Sequence, residues 1–134
     1  MSEDIRRPVI RYFEEVLNDR KPEVLDDIFA SDFVNEVTGF PPVIGIEAMR
    51  NVVQSILDGF PDCHSTIEDI MAIDDKVIVC WAMTGTHHGV FQNIAPTGKT
   101  MNVGGILIDV IEQQKIAKRW AYNSFPSFIQ QLRE

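Results

Sequence analysis

The 134-residue chain is poor in the features that mark several large protein classes. Its two cysteines, Cys63 and Cys80, have neither Cys-x-x-Cys spacing nor clustered histidines beside them, which argues against a zinc knuckle or a dithiol redox pair. No apolar run is long enough to span a bilayer. The segment from Met1 to Arg7 lacks the basic start, apolar middle and small-residue cleavage site of a secretory leader. Cations are scarce: 12 Lys and Arg stand against 20 Asp and Glu, a formal net charge of -8. Attraction to polyphosphate or anionic lipid would have to be rebuilt locally, so neither nucleic acid nor a membrane is an expected partner. These absences predict a cytoplasmic protein. No internal repeat, low-complexity tract or linker interrupts the chain. What is there, 45% hydrophobic and 24% charged side chains, suits one compact domain over residues 1–134.

The first half carries helical periodicity. Ile5, Val9, Tyr12 or Phe13, and Val16 recur at three and four residues and predict an amphipathic helix from Ile5 to Leu17. Pro22, suited to a first helical turn, opens a shorter helix with Val24, Leu25, Ile28 and Phe29 on its apolar face, broken by Ser31 and Asp32. Phe33 to Val37 reads as a short strand, and Thr38 to Pro42 as a rim loop, because proline supplies no donor to a ladder. From Gly45 to Asp58 the helical period returns.

The second half changes character. β-Branched and aromatic residues concentrate in Thr66–Ile73, Lys76–His88, Thr100–Ile111 and Lys115–Phe125, predicting four antiparallel strands, and Phe125 to Leu132 suggests a last helical turn or two. Val77 to Met83 and Ile106 to Ile111 are almost continuously apolar, so both sheet faces should be covered, one by the helices and the other by a second subunit. Helices followed by a long antiparallel sheet define an α+β fold, in which a strongly twisted sheet curls around the helices and leaves an apolar cavity. Gly104 and Gly105, in mid-strand, fit a sharp bend there or local backbone crowding.

Phe60-Pro61-Asp62, Asp75-Lys76-Val77, Gly85-Thr86-His87 with Gly89 and Phe91, and Ile94-Ala95-Pro96-Thr97-Gly98-Lys99 follow one another in an order and spacing that resembles the SnoaL-like polyketide cyclases. Gly45 to Arg50, and Lys115-Ile116 with Trp120, extend the resemblance over nearly the whole chain. It implies membership of the nuclear transport factor 2-like superfamily: a cone-shaped α+β barrel, with a homodimer packed sheet to sheet. It also implies intramolecular aldol ring closure of an aromatic polyketide ester, with no metal and no cofactor. In such cyclases the last strand carries a His just before its Trp and an acidic Asp just after it. Here those positions are Arg119 and Ala121. Alanine cannot move a proton, so the framing motifs persist while the acid/base of the family is gone.

Alternation places Arg119, Ala121 and Asn123 on one strand face, toward the cavity in the family's register. Arg119 would suit an anionic ligand group, or else pair with an acidic neighbour. His87 is the candidate proton carrier, against the reading of a hydrogen-bonded structural histidine. His87 and His88 point to opposite faces and cannot share a metal. Asn35, Tyr12 and Asn102 are candidate ligand contacts or satisfied core polar groups, and Phe40 a candidate apolar contact at the cone mouth. Two functions follow as expectations. One is a cofactor-independent cyclase or isomerase acting on a small, apolar, carbonyl-bearing molecule. The other is a non-catalytic small-ligand-binding homodimer. A third and weaker expectation is a subunit-interaction domain whose functional surface is the sheet face.

Overall fold

The computed structural model describes residues 4–134; residues 1–3, the first of the predicted domain, lie outside it. The expected N-terminal helix is present with an irregular winding. It begins as α1 (Arg7–Arg11), with Pro8 in the first turn, and runs without a break into a π-helical segment, Tyr12–Asn18. The Asp19 N–H donates to the Glu14 carbonyl five residues back, at 2.9 Å. This wider turn buries the adjacent pairs Tyr12 and Phe13, and Val16 and Leu17, on one side. A 3-10 turn, Pro22–Val24, leads into the short α2 (Leu25–Ile28).

The expected strand Phe33–Val37 is the second half of a longer β1 (Phe29–Val37). Phe29, assigned from sequence to the preceding helix, is already extended. The pairing of β1 shifts register between Phe29 and Val34, and the helix-breaking Ser31 and Asp32 sit exposed in that irregularity. A two-residue β2 (Val43–Ile44) returns against β1 and was not legible in the sequence. Then come α3 (Ile46–Gly59), β3 (His64–Ile73), β4 (Lys76–Thr86), β5 (Thr100–Glu112), β6 (Lys115–Asn123) and α4 (Phe125–Leu132).

The six strands form one sheet in the order β2-β1-β6-β5-β4-β3. All neighbours are antiparallel except β1 with β6, which are parallel. The β5–β6 hairpin turns on Gln113 and Gln114, both at positive φ, the conformation that matches the twist of the flanking strands. Alternate residues of the sheet, such as Val77, Val79, Trp81 and Met83 on β4, are buried on the face that meets the helices. Their outward neighbours Ile78, Cys80 and Ala82 are half-buried. Among the described residues no helix is long and apolar enough to cross a membrane.

Candidate functional site

Between the helices and the concave sheet face lies a mostly apolar pocket of about 90 Å³. The π-helical segment contributes Tyr12, Phe13 and Leu17, α3 contributes Met49, Val52 and Ile56, and four adjacent strands, β1, β6, β5 and β4, add side chains. From β6 come Arg119, Ala121 and Asn123, the three residues that strand alternation places on one face. Asn35 from β1 joins them. Two larger depressions, about 420 and 750 Å³, lie around the β5–β6 turn and are lined by Gln113, Lys115 and a mixture of charged, polar and apolar side chains.

Arg119 is 1% exposed and its charge is already met. Its Nε and Nη2 donate to the two carboxylate oxygens of Asp109 at 2.7 and 2.9 Å, a bidentate pair. Asp109, fully buried, is the residue directly opposite on β5. The guanidinium also lies over the Tyr12 ring, 4.3 Å from its centroid, and 5.3 Å from that of Phe29. Burial alone would depress the Arg119 pKa; the Asp109 carboxylate, with Tyr12, reverses this and holds it above the ordinary value. Burial pushes the Tyr12 phenol up, against the opposing pull of Arg119. Of the two readings of Arg119, a contact for an anionic ligand group or a pair with an acidic neighbour, the structure shows the pair, and its partner is a residue that sequence reasoning passed over. The signal was available: a lone Asp within the apolar run Ile106 to Ile111 requires a partner if buried.

His87 is placed differently from expectation. It is fully buried but does not line the pocket. It sits at the end of β4, where the chain leaves the sheet, and clasps the long 87–99 connection to itself. His87 N–H donates to the Lys99 carbonyl at 2.9 Å, the Gly98 N–H donates to the His87 carbonyl at 2.9 Å, and the Thr97 N–H donates to Nδ1 at 3.2 Å. Its ring packs on Phe60, 5.6 Å between centroids. The Gly-Thr-His and Pro-Thr-Gly-Lys motifs thus meet in one structural knot. Asp62 of the Phe60-Pro61-Asp62 motif joins it by accepting the Thr86 N–H and hydroxyl at 2.7 and 2.8 Å. These bonds hold the Asp62 carboxyl below its ordinary pKa.

Two other expected contacts also fall outside the pocket. Asn102 is exposed and borders a separate shallow depression with Thr100, Ser124, Ser127, Phe128 and Gln131, because even-numbered residues of this part of β5 face outward. Phe40 is half-buried in the turn after β1 and packs on the core rather than on the pocket. Ala121 is buried in the pocket wall. Asn123 uses its Oδ1 to accept the Phe125 N–H at 3.0 Å, which fixes the start of α4. Asn35 places its Nδ2 3.9 Å from the Met49 sulfur. Among the described residues no group of three or more His, Cys, Asp or Glu is arranged to hold a metal ion.

A pocket between a curved, mostly antiparallel sheet and two helical segments, the π-helical one and α3, belongs to the α+β cone class. The profile of the SnoaL-like polyketide cyclase family matches residues 7–132, and the chain belongs to that family. Among solved structures, the fold is similar to that of a protein described as a SnoaL-like polyketide cyclase from Jannaschia sp. CCS1, with a TM-score of 0.85 and 18% identity over 97% of this chain and 95% of that one. It is similar to IdmH, described as a polyketide cyclase, from Streptomyces antibioticus (TM-score 0.81, 23% identity, 98% and 100% covered). It is also similar to AclR from Streptomyces galilaeus, described as a hydroxylase (TM-score 0.81, 18% identity, 96% and 84% covered). No curated protein matches the sequence.

Proposed function

We propose that this protein binds one small, largely apolar, carbonyl-bearing molecule in the cone pocket, and that it does so without moving a proton at neutral pH. The observation that carries this reading is the titration chemistry of the pocket wall. Its ionisable members are Tyr12, pushed above its ordinary pKa, and Arg119, held as a cation by Asp109. Efficient general acid–base catalysis wants a group poised near the working pH, and neither meets that need. His87, the one histidine expected there, does not line the pocket and turns its Nδ1 to Thr97 of the 87–99 connection, and position 121 is alanine.

Volume sets the ligand's size. Pockets for drug-sized ligands run from roughly 300 to 1,000 Å³, whereas this one is about 90 Å³. A benzene-binding protein cavity measures about 150 Å³. The pocket as built therefore favours a single small ring or less, and a multi-ring polyketide would need the helices to move off the sheet.

The test is solvent exchange in D2O with cyclopentanone as probe. Binding should appear as a raised melting temperature, while the hydrogens beside the carbonyl exchange no faster than in buffer, with wild type and His87→Ala alike. Exchange accelerated by the wild-type protein would overturn the non-catalytic reading.

We also propose that the outer sheet face meets a second copy. What supports this is its apolar registration: Ile78, Ile108 and Trp120 form one row across β4, β5 and β6, and Cys80, Ile106 and Tyr122 form the next. Ile106 and Tyr122 are 42% and 51% exposed, a pattern that suits an interface rather than a solvated face.

A further inference from the structure

We infer that Trp81 Nε1 and the Asn35 carbonyl oxygen are a matched donor and acceptor that select the ligand, so that the preferred molecule is uncharged and presents a carbonyl beside an N–H or O–H. This rests on the pocket-binding reading above and names the chemistry the pocket reads.

Both side chains line the pocket, and both are more than nine-tenths buried, at 6% and 5% exposure. Among the described residues Trp81 Nε1 and Asn35 Oδ1 have no hydrogen-bonding partner in the protein. Buried polar groups in folded proteins are nearly always paired, because leaving one unpaired forfeits its hydration without return. Both side chains wall the same small apolar space, so a molecule that enters it is the candidate partner for their unpaired atoms. A ligand that makes both bonds supplies partners that the protein itself does not.

The geometry is fixed in advance. The Trp81 indole is held between Phe13 and Phe125, with centroids 6.3 and 6.4 Å away, so the direction of its N–H is set before anything binds. Asn35 is held by its place on β1, paired with Arg119 on one side and Val43 on the other. Of the other polar groups of the wall, Arg119 is engaged by Asp109 and Asn123 Oδ1 by the Phe125 N–H. A carboxylate gains no free cation here, since the guanidinium is already neutralised. That argues for a neutral ligand, in contrast to the anionic one that Arg119 alone suggests.

Three five-membered rings of similar size test this on the full chain labelled with ¹⁵N: 2-pyrrolidinone with donor and acceptor, cyclopentanone with an acceptor only, and cyclopentane with neither. Trp81→Phe identifies which of the two indole N–H signals is Trp81. That signal should move downfield with 2-pyrrolidinone and cyclopentanone, and not with cyclopentane. Trp81→Phe should weaken the first two about tenfold and leave cyclopentane unchanged, and Asn35→Leu should weaken 2-pyrrolidinone alone by a similar factor. If either variant fails to fold, the indole shift in the wild type decides. Binding of all three rings with a stationary Trp81 signal, or equal losses for all three in the variants, would overturn the donor–acceptor inference while leaving the pocket reading intact. Absence of binding by every ring would overturn both.

Discussion

Arg119 illustrates how one residue at a wall position dictates what its neighbour must be. A guanidinium at 1% exposure requires a counter-charge, and Asp109 stands directly across the ladder to supply it. Breaking such a pair by removing one member leaves an uncompensated buried charge and costs about 3–5 kcal/mol, whereas replacing both members with apolar groups is often neutral. Asp109→Ala should therefore lower the free energy of unfolding in urea by about 3–5 kcal/mol. The double variant Asp109→Leu with Arg119→Met should recover most of that loss. A single variant that unfolds like wild type would mean that Arg119 swings into the pocket and finds solvent. Arg119 was legible as a pocket residue because strand alternation depends only on spacing. Asp109 was not, because its meaning lies in a cross-strand register that the run of apolar neighbours conceals. The histidine was misplaced for a related reason: adjacency to the strand suggested a face, but the chain has already left the ladder at His87.

The elements themselves were read well where a single period holds over many residues, as in α3 and in β3 to β6. They were read poorly where the backbone departs from it. A π-helical turn buries Tyr12 with Phe13, and Val16 with Leu17, a pattern that an α-helical period also tolerates, so the sequence does not distinguish them. The start of β1 was hidden by a register irregularity. Gly104 and Gly105, by contrast, carried a readable message. They sit where β4 and β6 close on β5 beside Trp81 and Asn123, two pocket residues. A Cβ on Gly104 would lie 2.8 Å from the Trp81 carbonyl, and one on Gly105 2.8 Å from the Asn123 Cα. Both neighbours are backbone and cannot rotate away. Gly105→Ala should destabilise the protein by about 1–3 kcal/mol, the usual range for overpacking, and should weaken pocket ligands by pushing β6 away from β4. Gly98→Ala is the contrasting case, since a Cβ there meets nothing and the cost is confined to its positive φ. It should leave ligand binding unchanged. Thermal melts together with cyclopentanone binding separate the two outcomes.

At the scale of the molecule the sheet divides the work between its faces. The concave side holds the pocket, and the convex side carries the apolar rows across β4, β5 and β6. Near-continuous apolar strands in the sequence predict a cover on both sides; the helices cover the concave one, and a cover over the outer one rests on the proposal of a second copy. Ile108 stands at the centre of one row, between Ile78 on β4 and Trp120 on β6, with Lys118 lying over the Trp120 ring at 4.7 Å. A carboxylate there would be stripped of water on assembly among apolar side chains, and Lys118, held over Trp120, would offset only part of a cost of several kcal/mol. In the isolated chain it would remain at a half-buried, hydrated surface. Ile108→Asp should therefore convert a dimer into a folded monomer in sedimentation equilibrium at micromolar concentration. Ile73→Asp, at the end of β3 away from those rows and 55% exposed, should leave assembly unchanged. Cyclopentanone should still bind the Ile108→Asp monomer, because Ile108 lies on the outer face of the sheet and the pocket on the opposite one. A wild-type monomer, or a dimer that survives Ile108→Asp, would place the second copy elsewhere or remove it, and the exposed rows would then need a different partner.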